Sequence, residues 1–240
     1  MKEEHAGPGA APLVARAEAR DDELPHPLSA RVLNDAIDHL ARLDPDVARA
    51  LERIGYPEPR QRVAGFSTLL RIMTAQQVST RSAAALWARL EQACGRDVTA
   101  EAFLALDEPG LKAIGLSRQK MAYGRGLALA VAGGALDLER LATAPEDEAI
   151  AAIVTLHGFG RWSAEIYLLF ALGRTDVFPA DDLALQVAMQ RLKGLAARPT
   201  RKAMDVLAEP WRPVRGCGAI FLWHLYGRAT LDEAKAKRPA

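Results

Sequence analysis

From Leu28 to Tyr226 the apolar residues of this chain recur three and four positions apart, and no stretch alternates apolar with polar residues at period two. That pattern gives helices a buried face and leaves a sheet nothing to bury. It predicts an all-α fold of about ten helices. Ser29 can cap the first, through about Leu43, with Val32, Leu33, Ile37 and Leu40 on one face. Asp44-Pro45 ends it and opens a second through Ile54, and residues 55–59 (GYPEP) form a loop. Phe66 to Thr74 is apolar enough for a buried helix. Ser79 begins another through Cys94, with Ala83, Leu86, Trp87 and Leu90 inward. Short helices fit Ala100–Leu106 and Glu108–Ile114, and Ser117 caps one through Val131 that Gly133-Gly134 ends. Pro145 starts a helix with three acids in its first turn. Ser163–Leu172, Asp181/Asp182 to Leu192, a segment from Thr200 and Arg215–Tyr226 complete the set. Residues 1–27 read as a mobile tail and residues 229–240 as a frayed basic one.

The chain has 240 residues, half of them hydrophobic and 25% charged, which is ordinary globular composition and enough to bury a core without staples. No apolar run approaches ~20 residues, so a membrane span is excluded, and no signal peptide is visible. Two cysteines, Cys94 and Cys217, are too few for a disulfide framework or an iron–sulfur cluster, and the five histidines lack metal-ligand spacing. A reducing cytoplasm is the simplest compartment. The net charge is +1, but residues 181–240 carry 11 Lys/Arg against 6 Asp/Glu, a lean that suits a surface facing phosphates.

The informative stretch is Ile153 to Leu183, which reads helix, Gly-x-Gly turn, helix, loop, and then paired acids at a helix start. Gly158 and Gly160 permit a sharp turn and leave backbone N–H groups unshielded at the head of the next helix, an arrangement that binds an anion such as a DNA phosphate. The same residues also suit an ordinary turn between helices. By residue type alone, Asp181 and Asp182 are N-cap acceptors.

Leu156-His157-Gly158-Phe159-Gly160-Arg161-Trp162-Ser163-Ala164, followed some twenty residues later by Phe178-Pro179-Ala180-Asp181-Asp182, resembles the helix-hairpin-helix DNA glycosylase superfamily. Its alkylated-base branch, the bacterial 3-methyladenine DNA glycosylase II type, is similar at further places. These are Ile72-Met73-Thr74-Ala75-Gln76-Gln77-Val78-Ser79, Gly115-Leu116-Ser117-Arg118-Gln119-Lys120, and Trp211-Arg212-Pro213-x-Arg215 leading to Leu222-Trp223. The chain departs from the branch in having no room for an additional N-terminal sheet domain. His157 also stands where Pro is common, and Val214 where an aromatic is common.

The resemblance implies two helical lobes with a DNA cleft between them. One lobe spans about residues 60–140, and the other residues 28–55 plus 145–228, with the hairpin at 156–161. It makes Asp182 the catalytic carboxylate and leaves Asp181 as the structural cap. Trp162 stands where lyase relatives carry the Lys nucleophile, which implies hydrolysis without strand cleavage. Trp162 and Trp223 become walls of a base pocket, where an indole face attracts a cationic purine, and Gln76 the residue filling the gap left by the flipped base. Gly158, Gly160 and Arg161 would take phosphates. Leu116, Ser117 and Arg118 form the wedge, with Leu116 its apolar candidate. Lys120 and Arg125 could reach phosphates or lie on a solvated face, Arg215 belongs to the Trp211-Arg212-Pro213-x-Arg215 segment that carries the resemblance, and His224 could border the pocket. No cofactor is implied beyond a monovalent cation on hairpin carbonyls such as Leu156 and Phe159. The implied partner is duplex DNA carrying alkylated bases, met by a monomer. Two other activities fit parts of the pattern, a bifunctional lyase on oxidised bases and a non-enzymatic hairpin module.

Overall fold

A computed structural model describes residues 28–236, with side chains through residue 229. The described residues are all-helical, without a strand: α1 (Ala30–Leu43), α2 (Pro45–Ile54), α3 (Phe66–Ala75), α4 (Thr80–Cys94), α5 (Ala100–Ala105), α6 (Glu108–Ile114), α7 (Arg118–Ala132), α8 (Leu138–Thr143), α9 (Glu146–Val154), α10 (Arg161–Phe170), α11 (Leu183–Lys193), α12 (Arg201–Ala208) and α13 (Arg215–Ala236), with a 3₁₀ turn at Glu209–Trp211. None is long and apolar enough to cross a membrane. The 1–27 segment expected to be mobile lies outside the described residues.

Capping explains most of the boundaries. The side chains of Ser29, Asp44, Ser79, Thr99, Asp107, Ser117 and Thr200 each accept a backbone N–H of the helix they precede. Three elements differ from the sequence reading. Helix α8 was not foreseen. Asp137 caps it by accepting both Glu139 and Arg140 N–H groups, but six residues are too few to show a period. Helix α10 begins at Arg161 rather than Ser163, because Gly160 serves as the N-cap. Helix α13 continues through Ala236, so the frayed tail expected from residue 229 has a helical backbone for most of its length.

Two packing groups stand out. Helices α3 to α7 pack on one another around Phe103, Leu70 and Leu90, while α1, α2, α11 and α13 pack around Leu33, Leu40 and Phe221. Helix α10 is buried along most of its length, leans on α3, and sets its Phe170 ring against Trp223 of α13, so it bridges the two groups. The segment before α3 is tied to it: Arg62 N–H bonds the Phe170 carbonyl and Gly65 N–H the Tyr167 hydroxyl.

Asp44 fastens the second group. It ends α1 and caps α2 through Asp46 N–H, and its carboxylate also accepts the Lys193 ammonium at 2.6 Å and the Trp211 indole N–H at 2.9 Å. Burial pushes the Asp44 carboxyl up. The hydrogen bonds from Lys193 and Trp211, with the ammonium charge, outweigh it and hold the group below the ordinary range. A carboxyl depressed in the folded state stabilises at pH above its unfolded value, and that stability is lost as pH falls through the lower folded value. Lys193→Ala should therefore cost about 3–5 kcal/mol in denaturant unfolding at neutral pH, by leaving the buried carboxylate uncompensated. The difference from wild type should shrink under strong acid. A cost below about 1 kcal/mol would contradict the role given to this cluster.

Candidate active site and DNA interface

Asp182 sits where three elements meet. It is the N-cap of α11, and its Oδ1 accepts Leu185 N–H at 3.0 Å. Trp223, from α13, donates its indole N–H to the same oxygen at 3.1 Å. Trp162, in the first turn of α10, donates to Oδ2 at 2.9 Å. The carboxylate is half-buried, and among the described residues Oδ2 has one donor, which leaves that oxygen able to accept or face another group. The cap is thus Asp182 itself and not Asp181, correcting the division of roles between the two acids. Asp181 is exposed and its carboxylate lies 3.5 Å from the Arg201 guanidinium. The two indoles meet the carboxylate edge-on, so their faces remain for packing. One face of Trp223 is covered by Phe170, with ring centroids 5.5 Å apart.

The hairpin lies at the head of α10. Phe159 is buried and anchors it, while Leu156 O accepts Phe159 N–H to close the turn. Its two glycines serve different ends. Gly158 has φ +90°, and a Cβ there would lie 2.2 Å from the Tyr123 ring, so both backbone and packing demand glycine. Gly160 has an ordinary φ of −97° and open space where a Cβ would project. Nothing inside the protein requires glycine there. No side chain caps α10, so its first N–H groups are offered at an exposed glycine. Arg161 stands beside them, with its Nε donating to Glu165 Oε1 at 2.8 Å. Burial pushes the Glu165 carboxyl up to about 7, against the lowering effect of Arg161.

Several expected residues serve other ends. Gln76 does approach the hairpin, but its amide donates to the Gly158 carbonyl at 3.0 Å and the Ser163 hydroxyl at 2.9 Å, which fastens the hairpin to the end of α3 and occupies the group that was to fill a gap. The neighbouring Gln77, identical in type, has no such internal partner among the described residues. It is exposed, at φ +56°, a conformation uncommon outside glycine, and so sits at the tip of the loop leading to α4. Leu116 cannot be an exposed wedge. It is buried, and its N–H bonds the Leu111 carbonyl to close α6. Ser117 caps α7 through Lys120 N–H, and Arg118 is exposed. Lys120 donates to the Thr74 and Gln76 carbonyls at the end of α3, and Arg125 to the Leu106 carbonyl, so both hold the fold instead of facing phosphate or solvent. Arg215 is clasped by Asp176, and His224 by the Ile54 carbonyl at 3.1 Å, away from the Asp182 cluster. Ser163, Tyr123 and Glu165, which support the hairpin from below, were not singled out. Only Glu165 had a visible signal, its spacing of four from Arg161.

An all-helical body that offers glycine-flanked N–H groups beside a carboxylate oriented by two indoles is the architecture of a helix-hairpin-helix base-excision protein. Residues 70–213 match the HhH-GPD superfamily base excision DNA repair protein family, and the chain belongs to it. It is 29% identical to DNA-3-methyladenine glycosylase 1 of Schizosaccharomyces pombe over 210 residues, which span 84% of this chain and 90% of that one. It is 30% identical to DNA-3-methyladenine glycosylase 2 of Escherichia coli over 194 residues, 74% of this chain and 65% of that one. In three dimensions it is similar to the Schizosaccharomyces pombe 3-methyladenine DNA glycosylase in complex with abasic DNA, with a TM-score of 0.74 at 28% identity, covering 79% of this chain and 95% of that one.

The two glycines can be separated experimentally. Gly158→Ala should destabilise the protein by about 1–3 kcal/mol, from positive φ and the Tyr123 clash. Gly160→Ser should leave the melting temperature unchanged or higher, since serine is a good N-cap. Its hydroxyl would occupy the N–H groups meant for an anion, and duplex affinity should fall about tenfold, roughly 1.4 kcal/mol. Unchanged affinity in Gly160→Ser would remove the hairpin from the interface.

Proposed function

We propose that this protein is a monofunctional DNA glycosylase that extrudes alkylated purines of the 3-methyladenine and 7-methylguanine class from duplex DNA and hydrolyses their N-glycosidic bond, leaving an abasic site. The observation that carries the reading is the Asp182 carboxylate, held by Leu185, Trp223 and Trp162 with Oδ2 open on one side. The names of its relatives support the same reaction.

The chemistry needs only one carboxylate. A purine alkylated at N3 or N7 carries positive charge. When the C1′–N bond breaks, its electron pair goes to the base, which departs neutral and needs no acid to protonate it. Positive charge then builds on the sugar, and the fixed negative charge of Asp182 stabilises it. Water adds at C1′, and its proton passes to the carboxylate or to solvent. The position after Gly160-Arg161 holds Trp162, whose indole nitrogen is not a nucleophile, so no covalent sugar adduct forms. The hairpin N–H groups and Arg161 hold a phosphate near the lesion. Gln77, exposed in the chain between the cleft residues Ala75 and Val78, takes the gap-filling role in place of Gln76.

Oxygen ligands without charge suit a monovalent cation, and the hairpin carbonyls of Leu156 and Phe159 are the groups that would hold one. Such an ion would add positive charge toward a phosphate. The protein is expected to act as a monomer and to need no other cofactor.

Incubation with methylated duplex DNA, with products resolved by chromatography, tests the reading. Free methylated purines should appear, the strand should stay intact at the abasic site, and borohydride should trap no protein–DNA adduct. A trapped adduct would point to a lyase, and DNA binding without base release would point to a binding module.

A further inference from the structure

Next to the catalytic cluster lies a cleft of about 250 Å³ between α3, α4 and α10. Trp162 forms one wall, and Ile72, Ala75 and Ile166 supply further apolar surface. Arg62 and Arg71 also line it, and no lining residue is acidic. Among the described residues, neither guanidinium has a carboxylate within ion-pair distance. Arg71 is held instead over the Trp87 ring, 5.2 Å from its centroid. Arg62 is fixed through its backbone, by the hydrogen bond to Phe170, while its side chain lies beside Arg71 and Arg60. Burial among surrounding atoms, and then those two like charges, hold its pKa below the usual arginine value. Both side chains are exposed along the cleft, so water screens their repulsion, and they present two cations without a counter-ion to whatever enters it, one indole away from Asp182.

A guanidinium can only donate hydrogen bonds, so the group it reads must be an acceptor. The apolar walls suit a flat heterocycle, whereas a phosphate would press its charge against Ile72, Ala75 and Ile166. A purine with oxygen at C6 offers an acceptor at the edge of such a ring, and a 6-amino purine offers a donor in the same place. We infer that Arg62 and Arg71 form an acceptor-reading edge of the base pocket that favours 6-oxo purines, such as 7-methylguanine and hypoxanthine, over 6-amino lesions such as 3-methyladenine. This rests on the base-excising function proposed above and adds to it a determinant of selectivity.

Methylated duplex DNA supplies a charge-matched test, since 7-methylguanine and 3-methyladenine are both cationic and are released from the same substrate. In Arg62→Ala and Arg71→Ala the ratio of 7-methylguanine to 3-methyladenine released should fall about tenfold, the scale of one lost hydrogen bond from a charged donor. Hypoxanthine excision should fall with it. Arg62→Lys and Arg71→Lys keep the charge, lose the forked donor, and should shift the ratio in the same direction by a smaller factor. Thermal melting of each variant separates selectivity from folding, and the Lys pair serves if an Ala variant does not fold. Equal loss for both bases, with the slope of log affinity against log salt reduced by about one, would make these residues phosphate contacts and overturn the inference. An unchanged ratio in folded variants would overturn it while leaving the proposed function intact. No base release by wild type would remove both.

Discussion

The site depends on one carboxylate having two uses. Asp182 is an N-cap, and capping fixes its backbone and one oxygen at the start of α11. The same constraint aims its side chain at the two helices that supply Trp162 and Trp223. Each indole N–H spans a boundary between elements, α10 to α11 and α13 to α11, so the carboxylate's position records the packing of all three helices. A charged group held by three N–H donors needs no rearrangement when positive charge develops in front of it.

Helix α10 turns that local arrangement into an interface. Its N-terminus carries the hairpin, its first turn carries Trp162 and Ser163, and the rest is core. Ser163 receives the Gln76 amide, and Gln76 also holds the Gly158 carbonyl, so the hairpin and the end of α3 are joined by a single side chain. Lys120 ties the same end of α3 to α7, and Tyr123 of α7 packs beneath Gly158. Helix α3, the hairpin and α7 therefore form one linked frame. The residues of this frame are polar, yet their partners are mostly backbone carbonyls. That is why several look like DNA ligands in the sequence and prove to be internal braces.

Much was legible in the sequence because the cues are local. Capping residues placed most helix starts to within a residue or two, and the order of Gly-x-Gly, Trp and paired acids located the site. What was not legible depended on long-range contacts. Whether Asp181 or Asp182 caps α11 turns on one residue of register, and both types serve equally well. Leu116 in a loop looks exposed until the Leu111 carbonyl draws its N–H back and places its side chain in the core. Gln76 and Gln77 are identical in type and adjacent, and only the positive φ of the second separates the brace from the exposed tip. The uncompensated Arg62 and Arg71 lie nine residues apart, and nothing in the sequence brings them to a shared cleft with Trp162.

The central claim is that the charge on residue 182 lowers the barrier to base loss, and that its structural duty as a cap is separable from this. Asparagine caps a helix as well as aspartate does and is nearly the same shape, but it carries no charge. The most direct measurement is single-turnover excision of 7-methylguanine by Asp182→Asn, with duplex binding and thermal unfolding followed on the same samples. The rate should fall by about a hundredfold or more, the scale of losing one charge-stabilising group, with duplex affinity little changed and the melting temperature modestly lowered, because the cap on Leu185 survives while the asparagine NH2 faces the Trp162 N–H that Oδ2 now accepts. A rate within a few-fold of wild type would contradict the account.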